Sequence, residues 1–146
     1  MYEVELKVRA DHDPVRDTLQ DTGARALGMR YQSDTYYDAP HRNFVETDEA
    51  LRIRHEREQG QQTTRLTYKG PRIDDESKTR EEFETPVADS KAMEGILEGL
   101  GFEPAATVEK QRERYALDGF SIVLDDVTDL GTFVEVETDV ESESAV

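Results

Sequence analysis

The sequence predicts an α+β protein in which an eight-stranded antiparallel β-barrel carries its helices on the outside. Alternation of apolar and charged residues recurs in about eight segments, beginning with MYEVELKV at positions 1–8. Strict alternation of this kind is typical of a β-strand with one apolar and one polar face. Only two helix patterns interrupt these segments, without the regular strand–helix–strand order of a parallel sheet. A closed antiparallel sheet with helices packed against its outer surface accounts for both observations.

The alternation and the turn signals predict each element in order. Strands are expected at 2–9, 24–38, 50–56, 63–70, 80–87, 106–117, 120–127 and 133–139. The last hairpin turns at Asp118-Gly119, a strong turn signal. A helix is predicted from about 13 to 22, with Pro14 near its first turn and Gly23 as its stop. A second helix is predicted within 89–101, where apolar residues recur at helical spacing, and 71–79 is predicted as a polar loop.

The charge composition limits the classes of protein to which the chain can belong. The 146 residues include 34 Asp and Glu against 18 Lys and Arg, a net charge of −16. Such a charge repels phosphate backbones, which argues against nucleic acid and anionic membranes as partners. No cysteine and no long apolar run occur, so we expect a cytoplasmic protein without disulfides or thiolate metal sites. Abundant acid with only five lysines is typical of a halophilic surface, and the length predicts one domain, 1–146.

One face of the predicted strands carries balanced charges instead of the acidic excess of the whole chain. By strand parity, seven cations share this face with seven carboxylates: Lys7, Arg52, Arg54, Lys69, Arg80, Lys110 and Arg112, and Glu3, Glu5, Glu82, Glu84, Asp125, Glu135 and Glu137. On a single strand, such a face is readily explained as the side exposed to solvent. The same explanation is less convincing when seven strands share the pattern. Because unpaired buried charge is costly, a barrel with these faces inward is expected to be a wet channel that holds a charged ligand.

The residue types on this face indicate the ligand. Clustered carboxylates without His or Cys favour a hard divalent cation such as Mg²⁺ or Mn²⁺. Clustered Arg and Lys favour phosphate, so both clusters in one cavity predict a metal-bound polyphosphate. Charge stabilisation and positioning are most of what phosphoryl transfer requires from a protein. A non-catalytic polyphosphate- or nucleotide-binding module and a purely structural halophilic barrel are the alternatives.

Several short motifs along the chain occur in a characteristic order. They are E-x-E-x-K at 3–7, DTYYDAP at 34–40, ALRIR at 50–54, LTYKGP at 66–71, REEFE at 80–84, VEKQRERY at 108–115 and LDDVTDLGTFVEVE at 124–137. This ordered set resembles the CYTH superfamily, the triphosphate tunnel metalloenzymes, whose fold is an eight-stranded antiparallel tunnel. Members usually continue past the last E-x-E strand with a further helix and a short strand, which the resemblance implies are lacking within 1–146.

The resemblance also implies a role for each charged residue. One or two Mg²⁺ or Mn²⁺ ions would be held by Glu3, Glu5, Asp125, Glu135 and Glu137. The triphosphate would be bound by Lys7, Arg52, Arg54, Lys69, Arg80, Lys110 and Arg112, with Glu82 and Glu84 supporting the basic side chains. In hydrolytic relatives a tyrosine of the second motif, here Tyr36, can activate water beside the lysine that is here Lys69. Ordinary aromatic packing in a strand explains Tyr36 equally well.

The resemblance is compatible with two reactions on a small-molecule triphosphate. It favours a class IV adenylyl cyclase, which converts ATP into cyclic AMP and pyrophosphate. The alternative is a triphosphatase that hydrolyses thiamine triphosphate, inorganic triphosphate or nucleoside triphosphates. Both reactions need the same contacts to metal and phosphate, and they differ in the nucleophile, the ribose 3′-hydroxyl or water. The expected assembly is a monomer or a homodimer.

Overall fold

Eight antiparallel strands close on one another to form a barrel, in the order β1-β5-β4-β3-β2-β6-β7-β8. The structure, a computed structural model, describes residues 1–74 and 79–140. Its strands are β1 (Tyr2–Arg9), β2 (Arg25–Asp38), β3 (Ala50–Glu58), β4 (Gln61–Asp74), β5 (Thr79–Pro86), β6 (Glu103–Leu117), β7 (Phe120–Val127) and β8 (Gly131–Val140). The predicted fold class, an antiparallel eight-stranded barrel with external helices, is confirmed.

Three helices interrupt the strands of the described chain. The two predicted helices are α1 (His12–Asp21) and α3 (Ser90–Gly99). The sequence pattern missed α2 (Phe44–Thr47), a single turn that begins after Asn43. The Asn43 side chain accepts a hydrogen bond from the backbone N–H of Val45 at 2.9 Å, as a capping residue does. None of the described helices combines the length and the apolar character needed to cross a membrane.

The predicted loop at 71–79 is largely replaced by strand in the residues that the structure describes. Strand β4 runs on to Asp74 and β5 begins at Thr79, while 75–78 lie outside the described residues. The loop prediction is therefore wrong for 71–74 and for Thr79. Arg72 pairs with Arg80 across the two strands, and its backbone N–H donates to Asp48 Oδ2 at 2.9 Å. This pairing is long-range, so the local polar composition did not reveal it.

The apolar core lies between the barrel and its helices rather than inside the barrel. Helix α1 contributes Leu19 to a cluster on the outer surface of β6, β7 and β8, formed with Tyr115, Leu124 and Val134. Helix α3 contributes Leu97 to a second cluster on β2 and β3. Since side chains alternate across a strand, burying the apolar sides under the helices turns the charged sides into the barrel.

Candidate active site inside the barrel

A cavity of about 340 Å³ occupies the barrel interior, room for roughly eleven water molecules at about 30 Å³ each. Nine cationic and eight carboxylate side chains line it. The lining is therefore nearly neutral although the whole chain has 18 cations against 34 carboxylates. Twelve of the fourteen charged residues predicted to face inward are among these lining side chains, all except Arg80 and Asp125.

Most of the charges divide between two opposite sides of the cavity, with Lys7 on β1 and Glu56 on β3 as exceptions. What we term the acidic wall comprises the carboxylates of β1, β5 and β8: Glu3, Glu5, Glu82, Glu84, Glu135, Glu137 and Asp139. What we term the basic wall comprises the cations of β2, β3 and β6: Arg30, Arg52, Arg54, Lys110, Arg112 and Arg114. Strand order produces this division, because β5, β1 and β8 are contiguous in the barrel and so are β3, β2 and β6.

Three carboxylates of the acidic wall meet closely. Glu5 lies opposite Glu137 in the β1–β8 register, and one oxygen from each of Glu3, Glu5 and Glu137 lies within 4.8 Å of the others. Burial, opposed by Arg112 and reinforced by neighbouring carboxylates, raises the pKa of Glu137 to about 7. Burial and the charge of Glu135 likewise raise the pKa of Glu5. A cation placed among these oxygens would relieve their repulsion, and an all-oxygen donor set suits a hard divalent ion.

The other two predicted metal ligands contact cations instead. Both oxygens of Asp125 accept hydrogen bonds from Arg112, each at 2.8 Å. Glu135 lies 3.2 Å from Lys7 Nζ and 3.5 Å from Arg112 Nη2. The five predicted ligands thus divide into a group of three and two residues that hold cations. Metal coordination by Asp125 and Glu135 stays a prediction.

Arg52 and Lys110 are the least neutralised cations of the basic wall. Among the described residues, no carboxylate lies within 4.0 Å of the buried Arg52 guanidinium, and its Nε has no hydrogen-bond partner. The nearest carboxylate oxygen to Lys110 is Asp34 Oδ2, at 3.8 Å. Burial and the charge of Arg112 lower the pKa of Lys110 to about 8. By contrast, Arg54 donates two hydrogen bonds of 2.7 Å to Asp34.

Tyr36 and Lys69 share a smaller cavity of about 210 Å³ at one end of the site. Arg52, Arg80, Glu3, Glu5 and Ala50 complete its lining. Lys69 Nζ donates to Glu3 Oε1 at 2.6 Å. Burial alone would lower the pKa of Lys69, but the Glu3 charge raises it, so Lys69 stays protonated at neutral pH. The same contact overcomes burial at Glu3 and lowers its pKa to about 2.

Arg80 lies at the mouth of this smaller cavity and does not line the main one. Its Nη1 donates to the carbonyl oxygens of Asp48 and Gly70, at 2.8 and 2.9 Å, and its Nη2 donates to Asp48 Oδ1 at 3.0 Å. These contacts join the turn after α2 to β4 and β5. Binding of triphosphate by Arg80 stays a prediction.

The two residues predicted to support the cations lie in different surroundings. Burial and the charge of Glu3 raise the pKa of Glu82 to about 8, which favours its neutral form at pH 7. Glu84 accepts hydrogen bonds from Arg65 at 3.0 Å and from Thr67 at 3.1 Å.

Several lining residues were not singled out from the sequence. They are Arg30, Gln32, Glu56, Arg65, Arg114, Ser121, Val123 and Asp139. A usable signal was present for some of them. Arg30 and Gln32 share the parity of Tyr36 on β2, and Arg114 shares that of Arg112 on β6.

Comparison with known proteins agrees with the barrel fold. The CYTH domain family model matches residues 1–146. A protein of Methanocaldococcus jannaschii named "Putative adenylate cyclase MJ0240" is 41% identical over 138 residues, which are 94% of this chain and 77% of that protein. The structure of PH1819 from Pyrococcus horikoshii OT3 superposes with a TM-score of 0.91 at 41% identity, covering 97% of this chain and 80% of that one. The structure of "a putative adenylate cyclase" from Vibrio parahaemolyticus superposes with a TM-score of 0.82 at 25% identity, covering 99% of this chain and 80% of that one. The chain belongs to the CYTH domain family of triphosphate tunnel proteins.

Proposed function

We propose that the chain is a divalent-metal-dependent enzyme that hydrolyses a triphosphate bound inside the barrel. One observation carries the proposal: the cluster of Glu3, Glu5 and Glu137 shares a single cavity with the weakly neutralised Arg52 and Lys110. A triphosphate carries negative charge along its whole length and binds divalent cations. A metal–triphosphate complex therefore matches both walls, whereas a bare anion or a bare cation matches only one.

The donor set of the acidic wall fits Mg²⁺ or Mn²⁺. Glu3, Glu5 and Glu137 offer only carboxylate oxygens, and burial together with neighbouring carboxylate charges raises the pKa of Glu5 and of Glu137, an effect that a bound cation would oppose. We assign these three residues as the main ligands, with Glu135 and Asp125 next to them. When bound, the metal would neutralise charge on the phosphate oxygens.

The basic wall supplies the contacts to phosphate. Arg52 offers a guanidinium without a carboxylate partner among the described residues, and Lys110 offers a charge held only loosely by Asp34. Arg54 and Arg112 are fixed by their carboxylates, which orients their remaining N–H groups. Lys7 is placed between Glu135 and the ring of Phe133, 5.0 Å from the ring centroid.

Hydrolysis is favoured by the lining of the cavity. Among the described lining residues, Val123 is the one aliphatic side chain and Tyr36 the one aromatic side chain. Such a lining offers little surface for a purine base inside the barrel and is well suited to water. Tyr36 and protonated Lys69 border the same small cavity as Glu3 and Glu5. We assign Tyr36 to positioning the water and Lys69 to stabilising charge on the phosphoryl group.

In this reaction the water oxygen forms a bond to the terminal phosphorus as the bond to the bridging oxygen breaks. The diphosphate leaves with the electron pair, and a water proton passes to a phosphate oxygen. Adenylate cyclisation is the second candidate, because two relatives carry that name. In that reaction the ribose 3′-hydroxyl would attack the α-phosphorus and pyrophosphate would leave.

Product analysis separates these reactions. The protein is incubated with ATP, thiamine triphosphate or inorganic triphosphate, in Mg²⁺, in Mn²⁺ and in EDTA. We expect metal-dependent release of orthophosphate, and no release by Glu137→Gln. Cyclic AMP and pyrophosphate from ATP would support the cyclase instead. If the protein binds triphosphate in a metal-dependent way but releases no product, it is a non-catalytic binding module. If it binds no triphosphate at all, the barrel has a purely structural role.

A further inference from the structure

A cluster of opposite charges lies at one end of the basic wall. We call Arg30, Glu56, Glu58 and Arg114 the rim cluster. Glu58 accepts from Arg30 Nε at 2.7 Å through one oxygen and from Arg114 Nη2 at 2.8 Å through the other. Arg30 Nη1 also lies 3.1 Å from Glu56 Oε1. One carboxylate therefore bridges two arginines contributed by different strands.

The rim cluster lies at the end of the barrel formed by the β3–β4 turn. Glu58 is the last residue of β3, and the following Gln59 and Gly60 both have positive φ, 50° and 81°. The side chains of Arg30, Glu58 and Arg114 are 24%, 29% and 19% exposed, whereas the side chain of Arg112 is only 9% exposed. Solvent therefore reaches the rim cluster more freely than the middle of the basic wall.

The rim cluster continues the line of cations that faces the phosphate. Arg112 and Arg114 lie on the same side of β6, about 7 Å apart at roughly 3.3 Å per residue. Arg30 and Arg114 line the same cavity as Arg52 and Lys110. A linear phosphate chain that extends past Arg112 in this direction would reach Arg114 next.

The two rim arginines differ from Arg52 because their charge is already compensated. Glu58 occupies N–H groups on both, and Glu56 compensates Arg30 further. A phosphoryl group arriving there must displace a carboxylate and would lie beside its negative charge. One donor of these arginines is still without a partner, however, because Nε of Arg114 is buried and makes no hydrogen bond. Arg30 and Arg114 are thus placed where they could bind a phosphoryl group, but their positive charges are already neutralised by carboxylates.

We propose that Glu58 sets the length of the phosphate chain that the barrel binds, by withholding Arg30 and Arg114 from phosphoryl groups beyond the third. This inference rests on the proposed triphosphate site and adds a residue that determines its specificity. Removing the Glu58 charge frees two cations at the rim. The binding preference should then move from triphosphate toward longer linear polyphosphates.

The test measures the dissociation constants of inorganic pyrophosphate, triphosphate and tetraphosphate by calorimetry, without metal in EDTA and again with Mg²⁺. The variants are Glu58→Gln, the double variant Glu58→Gln/Arg114→Met, and Glu98→Gln. Glu98 is exposed on α3, outside the barrel, so its variant controls for the loss of one negative charge. Circular dichroism at each condition checks that the fold is retained.

We expect Glu58→Gln to bind tetraphosphate about tenfold more tightly than the parent protein, with triphosphate changed less than twofold. The double variant should lose part of this gain, because Arg114 is one of the two cations that the loss of Glu58 frees. Equal changes for all three anions, or a gain that survives undiminished in the double variant, would overturn the role of Glu58. If the parent protein binds none of the three anions with or without Mg²⁺, the proposed function itself fails, which is a different result. If Glu58→Gln does not fold, Glu58→Ala and Glu58→Ala/Arg114→Met are measured in place of the two Gln variants, with the same expected results.

Discussion

Arg112 and Asp125 form a buried two-point ion pair across strands β6 and β7, with both N–H···O distances at 2.8 Å. The Asp125 side chain is fully buried and that of Arg112 is 9% exposed. Arg112 faces the cavity, so Asp125 fixes the direction in which this guanidinium meets a bound anion. Glu135 adds a weaker contact at 3.5 Å to the same guanidinium.

Replacement of Asp125 by Ala should destabilise the fold. The change leaves a buried guanidinium with only the longer contact to Glu135, and breaking a buried pair in this way costs about 3 kcal/mol. Urea unfolding at pH 7 measures the change, with Asp126→Ala as the control on the exposed side of the same strand. Indistinguishable unfolding midpoints for the two variants would show that the pair contributes little to stability.

Replacement of Glu137 by Gln should weaken metal binding without weakening the fold. The variant removes one of three close carboxylates, so we expect Mn²⁺ affinity to fall by at least about tenfold. It also removes a repulsion, so the melting temperature of the metal-free protein should stay level or rise. Calorimetry and thermal melting in EDTA provide the two measurements. The matched control is Glu84→Gln, whose parent side chain accepts from Arg65 and Thr67 outside the close cluster. Equal Mn²⁺ affinity in both variants would contradict the ligand assignment.

Replacement of Arg52 by Met should weaken triphosphate binding in the absence of metal. Arg52 has no carboxylate partner within 4.0 Å among the described residues, so its guanidinium is available to the ligand. Hydrogen bonds to charged groups contribute about 1.5–3 kcal/mol, which corresponds to a loss of roughly 10- to 150-fold. Arg65→Met is the control, because Arg65 also lines the cavity but is paired with Glu84. The assignment fails if the control loses as much affinity as Arg52→Met.

Triphosphate affinity measured in EDTA should fall as the pH rises through about 8, where Lys110 loses its proton. Glu82, Glu137 and the ligand also titrate near this range, so the informative quantity is the difference from Lys110→Arg, which keeps its charge. Calorimetry of both proteins between pH 6.5 and pH 9.5, at about half-unit steps, measures this difference in triphosphate affinity. Parallel pH profiles for the two proteins would remove Lys110 from the phosphate site.

The lowered pKa of Lys110 also predicts how the stability of the fold changes with pH. The pKa of Lys110 is about 8 in the folded chain against its ordinary 10.5, so between these values the unfolded chain binds more protons. Lys110 therefore makes the free energy of unfolding rise with pH between these two values. Because Lys110→Arg lacks this contribution, the stability of the parent protein should increase relative to that of the variant over the same range. Urea unfolding of both proteins at pH 7 and pH 10 measures the gain.

The melting temperature should rise from dilute buffer to molar KCl. A net charge of −16 repels itself, and salt shortens the screening distance from about 10 Å at 0.1 M to about 3 Å at 1 M. A variant with Gln at the exposed positions Glu98 and Glu103 and Asn at Asp126 should gain less from the same salt. Identical salt responses in the two proteins would leave the acidity without this explanation.

Local sequence determined the strands, the two longer helices and the shared inward face of the charged residues. The alternation in β1 and β8 sufficed to turn Glu3, Glu5 and Glu137 away from the apolar core, because parity along a strand is a local property. The positive φ values at Asp118 and Gly119 match the turn that those two residues predicted. The extension of β4 to Asp74 lay beyond this reasoning, because it depends on pairing with β5.

Parity could not say which inward-facing charges meet. The barrel register brought Glu5 opposite Glu137, while the contact of Arg112 with Asp125 separated that carboxylate from the close cluster. The same register left Arg52 without a carboxylate within 4.0 Å among residues 1–74 and 79–140, and it placed Glu58 between two arginines. Sequence by itself therefore determined which strand faces are charged, and most of the charged residues that line the cavity. Only the closed barrel decided the pairing of charges, because each pair joins strands that are distant in the chain and adjacent in the sheet.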